Sequence, residues 1–220
     1  FTLGGVTIVG PTAFSNATAI VFPVDTPAAG DGVGPATPYP SDIAVAGLTG
    51  TVSKVTVTLT NMEHTFPDDI DIMVEGPGGQ KVMIMSDAGL GNDIVNVTLT
   101  FDDAAASQLP DSGTIVSGTF RPSDFTPGEN LPAPAPAGPY ASQLSAFNGT
   151  SPNGTWRVWA ADDAAVDDGS IAGGWTLNIT TAEPVCSTSC GQCEITCPAN
   201  VTVSNDPNQC GAVVNYPPPT

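Results

Sequence analysis

The sequence predicts an all-β protein, built as an antiparallel β-sandwich. Three observations predict it. Apolar residues alternate with a period of two in segment after segment, clusters of Gly, Pro, Asn and Asp separate those segments, and no stretch shows a convincing helical period. Hydrophobic residues make up 40% of the 220 residues, which is enough for a real core. Many short strands with turn residues between them are typical of sandwiches.

Five segments carry the strand pattern. In the first, Val55, Val57 and Leu59 share one face and three threonines share the other. In VNVTLTF we expect Val95 and the alternate apolar residues after it to point inward. Alternation also predicts that Trp156 and Trp175 are buried. The five segments are 55–60, 81–87, 95–101, 156–160 and 175–179.

One long segment, residues 121–140, has six prolines and no strand pattern. Proline fixes φ and removes a backbone donor, so we expect a semi-rigid excursion over the surface. Two interpretations remain open for it. It is either an ordered crossover between the two sheets or a loop that recognises a partner.

The residue pattern changes after Thr181, where the cysteine-containing part of the chain begins. We expect the sandwich to occupy residues 1–182, a Cys-containing linker to follow at 183–194, and a further segment to occupy 195–220. That last segment offers two strand-like runs, and an isolated hairpin is marginal in water, so we expect it to be truncated or completed by other sequence. The chain begins at Phe1 instead of Met, which favours a processed, mature protein.

The charge balance narrows the function classes. Acidic residues number 22 and basic residues 4, giving a formal net charge of -18. Such a charge repels nucleic acid and anionic membranes, so we expect neither as a partner. Aspartate outnumbers glutamate strongly, and aspartate is typical of turns and of calcium sites. No apolar run is long enough to span a membrane, so no membrane insertion is expected.

Four Asp-Asp pairs adjoin predicted strands: 68–69, 102–103, 162–163 and 167–168. Loops from distant strands converge at one end of a sandwich, where crowded carboxylates repel one another unless a hard dication neutralises them. Calcium is therefore one interpretation, and solvated turn aspartates that cap backbone N–H groups are the other. The spacing does not match an EF-hand loop.

All five cysteines lie near the end of the chain. Four thiolates within twelve residues could hold zinc, but an extracytoplasmic chain favours disulfides, with one cysteine left over. The disulfide candidates are Cys186, Cys190, Cys193, Cys197 and Cys210.

Catalysis finds little support in the residue pattern. The only histidine, His64, adjoins a predicted strand, and no G-x-S-x-G elbow is present. The carboxylates lie in turns of small residues and lack the apolar cleft that a glycosidase acid needs. We therefore expect no enzyme activity and a structural role for His64.

Several motifs together resemble the P domain of proprotein convertases and bacterial subtilases. They are EHTFPDDIDIMVEGPGGQ, LTFDDAA and LSAFNGTSPNGTWRVWAADDAAVDDGSIAGGWTLNI, and the similarity covers about residues 15–181. The resemblance implies a jelly-roll sandwich, core tryptophans at Trp156 and Trp175, and bound calcium. The metal ligands that it implies are Asp69, Asp102, Asp103, Asp162, Asp163 and Asp168.

The end of the chain, from Ile195 to Tyr216, resembles the start of a hyalin-repeat module, which is immunoglobulin-like and occurs in adhesive extracellular proteins. Together the two resemblances imply a non-catalytic, calcium-stabilised module of a bacterial surface or secreted protein. We expect it to assemble head to tail with itself, as a fibre subunit would, or to contact other surface-protein modules. An accessory domain of a secreted protease and a glycan-binding module are the alternatives.

Overall fold

The computed structural model describes residues 5–26 and 30–185 of the chain. Within these ranges fifteen strands form a seven-stranded sheet, a six-stranded sheet and a two-stranded ribbon, and the only helical elements are two 3₁₀ turns, Pro67–Asp69 and Leu144–Phe147. The strands are β1 (Val6–Asn16), β2 (Ile20–Val21), β3 (Asp25–Thr26), β4 (Gly30–Asp31), β5 (Gly34–Pro35), β6 (Ser41–Val45), β7 (Thr51–His64), β8 (Ile70–Glu75), β9 (Lys81–Ser86), β10 (Ile94–Phe101), β11 (Gly118–Phe120), β12 (Ser123–Asp124), β13 (Gly154–Asp162), β14 (Gly169–Ile171) and β15 (Trp175–Pro184).

The prediction of an all-β sandwich is confirmed. The first sheet has the order β1-β15-β7-β10-β11, with β14 and β2 beside β7, and the second has the order β12-β9-β8-β13-β5, with β6 beside β13. The prediction of purely antiparallel sheets is wrong, because β10 pairs with β11 and β9 pairs with β12 in parallel. A long connection, residues 102–117, follows β10, and parallel neighbours require such a crossover.

The inward faces of the two sheets meet in one core. Val55, Val57 and Leu59 are buried there, as the alternation in β7 predicts. Trp156 of the second sheet and Trp175 of the first are also fully buried, and the Trp175 indole N–H donates to Ser41 Oγ at 3.0 Å. Ser41 belongs to β6, so this bond joins the two sheets. Burial of both tryptophans is confirmed.

The prediction that Val95 points inward is wrong. The β10–β7 register shifts between Ile94 and Val97, and Asn96 adopts a φ of 53°. Asparagine tolerates this left-handed conformation. The resulting bulge places Ile94 in the core and leaves Val95 67% exposed. Period-two alternation assigns the wrong face wherever a bulge adds a residue to the strand.

The proline-rich segment 121–140 covers the outer face of the second sheet. Tyr39 Oη donates to the Pro132 carbonyl oxygen at 2.7 Å and holds the segment in place. Both faces of β9 are therefore buried, which explains why residues 82–85 are all apolar. This cover creates a second, smaller core from Met73, Met83, Leu131 and Trp159, with Tyr39, Ala135 and Tyr140 packed against it.

Several predictions fall outside the described residues. They are those on the five cysteines from Cys186 to Cys210 and on the segment 195–220. Within the described ranges, no helix has the length and apolar character that a membrane span requires.

The Trp175→Ala variant should lose about 3–5 kcal/mol of unfolding free energy, because it leaves a cavity between the sheets. The substitution also removes the bond to Ser41. Chemical denaturation monitored by circular dichroism measures the loss. The matched control is Val95→Ala, an exposed site that should change stability by less than about 0.5 kcal/mol. Equal melting of the two variants would contradict the assigned core.

Candidate metal centre

Three carboxylates meet on the outer side of the second sheet. Asp71 lies in β8, Asp87 follows the last residue of β9, and Glu129 comes from the proline-rich segment. One carboxylate oxygen of each lies within 4.8 Å of the others, so this group could hold a metal ion. Asp71 is only 6% exposed, Asp87 is half-buried and Glu129 is exposed. The site therefore has a buried floor and a solvent-facing rim.

The strand pattern explains why an acid lies beneath this site. Ile70, Ile72 and Val74 of β8 belong to the main core. Side chains alternate across a strand, so Asp71 and Met73 point to the opposite, outer face. Leu131 of the proline-rich segment belongs to the same apolar cluster as Met73 on that face, and Asp71 is only 6% exposed.

Burial and like charge act together on these acids. Burial, foremost, and then the carboxylates of Asp163, Asp87 and Glu129 raise the pKa of Asp71 to about 7, although a hydrogen bond from Ser86 lowers it. Burial, and after it the Asp87 carboxylate, raises the pKa of Glu129. Protonation is the response of a carboxylate whose charge lacks a compensating partner. A bound cation would supply the compensation instead.

The crowding of carboxylates extends beyond Asp71, Asp87 and Glu129. Burial raises the pKa of Asp68, Asp124 and Asp163, and the Asp87 carboxylate raises each of them further. One oxygen of Asp124, Oδ1, is buried and accepts no hydrogen bond from any described residue. No lysine or arginine among the described residues forms a salt bridge with these acids; Lys54 pairs with Asp102, and Arg157 pairs with Asp42 and Glu75.

Two predicted ligands, Asp69 and Asp163, lie in this acidic region. Burial and the carboxylates of Asp162, Asp167 and Asp163 raise the pKa of Asp69 to about 6. The Asp163 backbone N–H donates to the Asp69 carbonyl oxygen at 3.0 Å, which ties the end of β13 to the turn before β8. The two loops therefore lie close together, and metal binding by Asp69 and Asp163 stays a prediction.

A third predicted ligand, Asp162, is fully buried against His64. His64 Nε2 lies 3.0 Å from Asp162 Oδ2, and both side chains are inaccessible to solvent. The backbone N–H of Ala164 donates to Asp162 Oδ1. Protein donors thus engage both oxygens of this carboxylate. His64 itself packs edge-on against Phe22, an arrangement that suits the structural role expected for it.

Asp102 and Asp103 lie apart from this group and serve other contacts. Asp102 Oδ2 accepts a hydrogen bond from Lys54 Nζ at 2.7 Å. The two oxygens of Asp103 accept the backbone N–H groups of Leu144 and Ser145, both at 2.8 Å, at the 3₁₀ turn. A metal role for these two residues stays a prediction.

Asp168, the remaining predicted ligand, lines a separate groove of about 440 Å³ with Glu63 and Asp93. Its backbone carbonyl oxygen accepts the Thr65 N–H, and its neighbour Asp167 accepts the Thr65 hydroxyl. Metal binding by Asp168 also stays a prediction.

Sequence reasoning missed the three residues that meet most closely. Asp71 carries a usable signal, since it alternates with Ile70 and Ile72 and therefore leaves the core face. Asp87 directly follows a buried apolar run, which marks a strand end. Glu129 carries no signal, because nothing in a proline-rich segment tells where it folds back on the sheet.

Comparisons with known proteins add little to this geometry. No family model matches the chain, and no curated protein matches it. Among solved structures, the chain is similar to the serine protease of Aeromonas sobria (TM-score 0.38, 13% identity) and to the complex of that protease with its chaperone (TM-score 0.39, 12% identity). These alignments cover 81% and 82% of this chain but 28% of each matched chain. TM-scores this low carry no argument about function.

In metal-free buffer, the folded protein should lose stability as the pH rises from about 4 to 7. The raised pKa values of Asp69 and Asp71, about 6 and about 7, mean that the folded state binds more protons than the unfolded state in this window. The stability that these protons provide is lost as they dissociate. Thermal melts in EDTA across the pH range measure the slope.

Asp71→Asn should flatten that slope and raise the melting temperature at pH near 8, because the amide carries no charge to repel its neighbours. Asp93→Asn is the matched control, since Asp93 is an exposed acid outside the cluster. A melting temperature that does not depend on pH in the parent protein, or an equal response of both variants, would contradict the assigned electrostatics.

Proposed function

We propose that the protein is a non-catalytic, calcium-stabilised structural module of a secreted or cell-surface bacterial protein. The observation that carries this proposal is the meeting of Asp71, Asp87 and Glu129 without a basic partner. All three donors are carboxylate oxygens, which hard cations prefer, and calcium accepts 6–8 oxygens in irregular geometry. The buried, unsatisfied Oδ1 of Asp124 supports the fit of a cation to this region.

The lack of catalytic machinery in the described residues supports a structural role. A serine or cysteine nucleophile needs a base within hydrogen-bonding reach. His64 is the only histidine of the chain, and its ring nitrogens contact Asp162 and the backbone of Phe66. Ser170, which lines the same groove, donates its hydroxyl to Glu63.

The alternative proposal is an accessory P domain of a secreted subtilisin-like protease. The motif series from Gly154 through Trp156 and the aspartate pairs to Trp175 favours it, and it implies jelly-roll strand order and extracellular location. Both proposals use the same calcium-stabilised sandwich, so the metal site does not separate them. The complete gene does: a catalytic domain encoded before the sandwich would favour the protease, and further repeat modules would favour the structural protein.

A glycan-binding module finds no comparable support. Such modules present aromatic side chains to solvent, and Trp156, Trp159 and Trp175 are all buried. Tyr39 packs edge-on against Trp159, and the Tyr140 hydroxyl donates to the Pro136 carbonyl oxygen.

Calcium should raise the unfolding free energy by about 2.7 kcal/mol at a hundredfold excess over its Kd, because it binds only the folded state. Thermal melts in EDTA, in calcium and in magnesium measure the shift, and elemental analysis of the purified protein identifies the ion. Glu129→Gln should reduce the calcium shift without a change of fold, since Glu129 is exposed.

Asp93→Asn is again the control and should keep the full shift, because Asp93 lies outside the three-carboxylate group. Identical midpoints in EDTA and in millimolar calcium, with no bound metal in the elemental analysis, would rule out the calcium site.

A further inference from the structure

The proline-rich segment 121–140 is attached to the second sheet by backbone hydrogen bonds at its two ends. At the first end, β12 pairs with β9, and the Phe125 N–H donates to a carbonyl oxygen of β9 at 3.3 Å. Just past the other end, Ala141 exchanges backbone hydrogen bonds with β9 at 2.8 and 3.0 Å. Residues 127–140, which we call the strap, lie between these two attachments.

Within the described chain, two side chains hydrogen-bond the strap to the rest of the protein. Tyr39 Oη donates to the Pro132 carbonyl oxygen at 2.7 Å, and Lys81 Nζ donates to the Ala137 carbonyl oxygen. The other hydrogen bonds of the strap join its own residues to one another. The strap can therefore separate from the sheet without breaking a strand ladder, as a local opening that leaves the sandwich folded.

Leu131 is the buried apolar anchor of the strap. It is 5% exposed and shares an apolar cluster with Met73, Met83 and Trp159 on the outer face of the second sheet. Other strap residues that pack against this cluster are only partly buried. The apolar contact that favours a closed strap therefore depends mainly on one side chain.

Two residues before this anchor, the charge of Glu129 opposes the contact. One carboxylate oxygen of Glu129 lies within 4.8 Å of one oxygen of Asp71 and of one oxygen of Asp87. No lysine or arginine among the described residues forms a salt bridge with any of the three. Asp71 is only 6% exposed, so water screens its charge poorly. Repulsion among these carboxylates favours movement of Glu129, and of the strap with it, away from the sheet.

The strap has room for such a movement. Its two arms border a cavity of about 580 Å³, which Pro127 and Glu129 line on the first arm and Pro139 and Tyr140 on the second. At Gly128 the φ is 110°, and beyond its chain neighbours no atom lies within 4 Å of the position that a Cβ would take. Glycine at an uncrowded turn lets the backbone change direction at low cost.

A further carboxylate at the base of the strap favours a cation in this region. Asp124 lines the same cavity as Glu129. Its Oδ1 is buried and accepts no hydrogen bond from any described residue. A buried acceptor without a donor is costly unless an ion or a water molecule satisfies it. The unsatisfied oxygen therefore lies where a cation that binds Glu129 would be useful.

We propose that calcium controls whether the strap is closed or open. Calcium held by Asp71, Asp87 and Glu129 attracts all three carboxylates, so the strap stays closed on the apolar cluster. Without calcium, their repulsion shifts the equilibrium toward an open strap, in which Trp159 loses its contact with Leu131. The inference rests on the proposed calcium site and adds a conformational response to it.

Quenching of tryptophan fluorescence by acrylamide in the full chain tests the proposal, because the quencher reaches only tryptophans that solvent can reach. Of the three tryptophans, Trp156 and Trp175 lie in the main core, and Trp159 lies in the cluster that contains Leu131. In calcium all three should be protected. In EDTA, at the same mildly alkaline pH, we expect a several-fold rise in the quenching constant. Trp159→Phe should abolish that rise.

Two variants should shift the strap in opposite directions. Glu129→Gln removes the repelling charge and keeps the size of the side chain, so Trp159 should stay protected in EDTA. Leu131→Ala removes the apolar anchor, so acrylamide should quench Trp159 more strongly than in the parent, even in calcium. Asp93→Asn is the matched control, because it removes the charge of an exposed acid outside the three-carboxylate group and should respond as the parent does.

Calcium melts of the same samples separate this inference from the proposed calcium site. If calcium raises the melting temperature while quenching is equal in calcium and in EDTA, the strap proposal is overturned and the calcium site stands. If calcium changes neither quantity and none is bound, both proposals are overturned. Glu129→Gln that is quenched in EDTA as strongly as the parent overturns the strap proposal, because repulsion would then not drive the opening. A rise that persists in Trp159→Phe overturns it too, since the main core would then be loosening.

Discussion

Repulsion among the carboxylates around Asp87 is the constraint on which the rest of the structure depends. Burial first, and then neighbouring carboxylates that include Asp87, raises the pKa of Asp68, Asp71 and Asp124, and no base among the described residues forms a salt bridge with these groups. The main core lies between the sheets and is apolar, so it does not share in this repulsion. The dependence of stability on pH and on metal ions therefore comes from whether protons or a cation compensate one small region.

The proline-rich segment links that region to the fold. It buries the outer face of the second sheet through Leu131, and it carries Glu129 to the rim of the acidic group. Packing and charge oppose each other in this segment, because the contacts that hold it on the sheet also bring a carboxylate toward Asp71. A cation bound by both residues would turn that opposition into a crosslink between the segment and β8.

The sequence predicted features that depend on local residue patterns, and it did not predict features that depend on long-range packing. Alternation identified the strands and the inward faces of β7, β13 and β15. Side chains of a strand point alternately to its two faces, so a strand with one buried face has an apolar residue at every second position. It failed at Val95, where a bulge adds one residue, and it could not show that the second sheet is covered on both faces. Aspartate pairs at strand ends indicated an acidic region, and Asp69 and Asp163 do lie there. Asp102 lies instead beside Lys54, because convergence depends on which end of the sandwich each loop reaches.

The bulge at Gly10 decides how far β1 is closed. At Gly10 the φ is 107°, and a Cβ atom would lie 2.8 Å from the Ile179 carbonyl oxygen, so a larger residue would strain both strands. Glycine thus lets the strand bend where the register shifts, and the bend separates the half that contacts β6 from the half that does not. Without this bend, the side of β1 away from β15 would form one continuous edge, and contacts with β6 would cover either all of that edge or none of it. Confining the unpaired backbone groups to a few residues limits uncontrolled pairing along that edge.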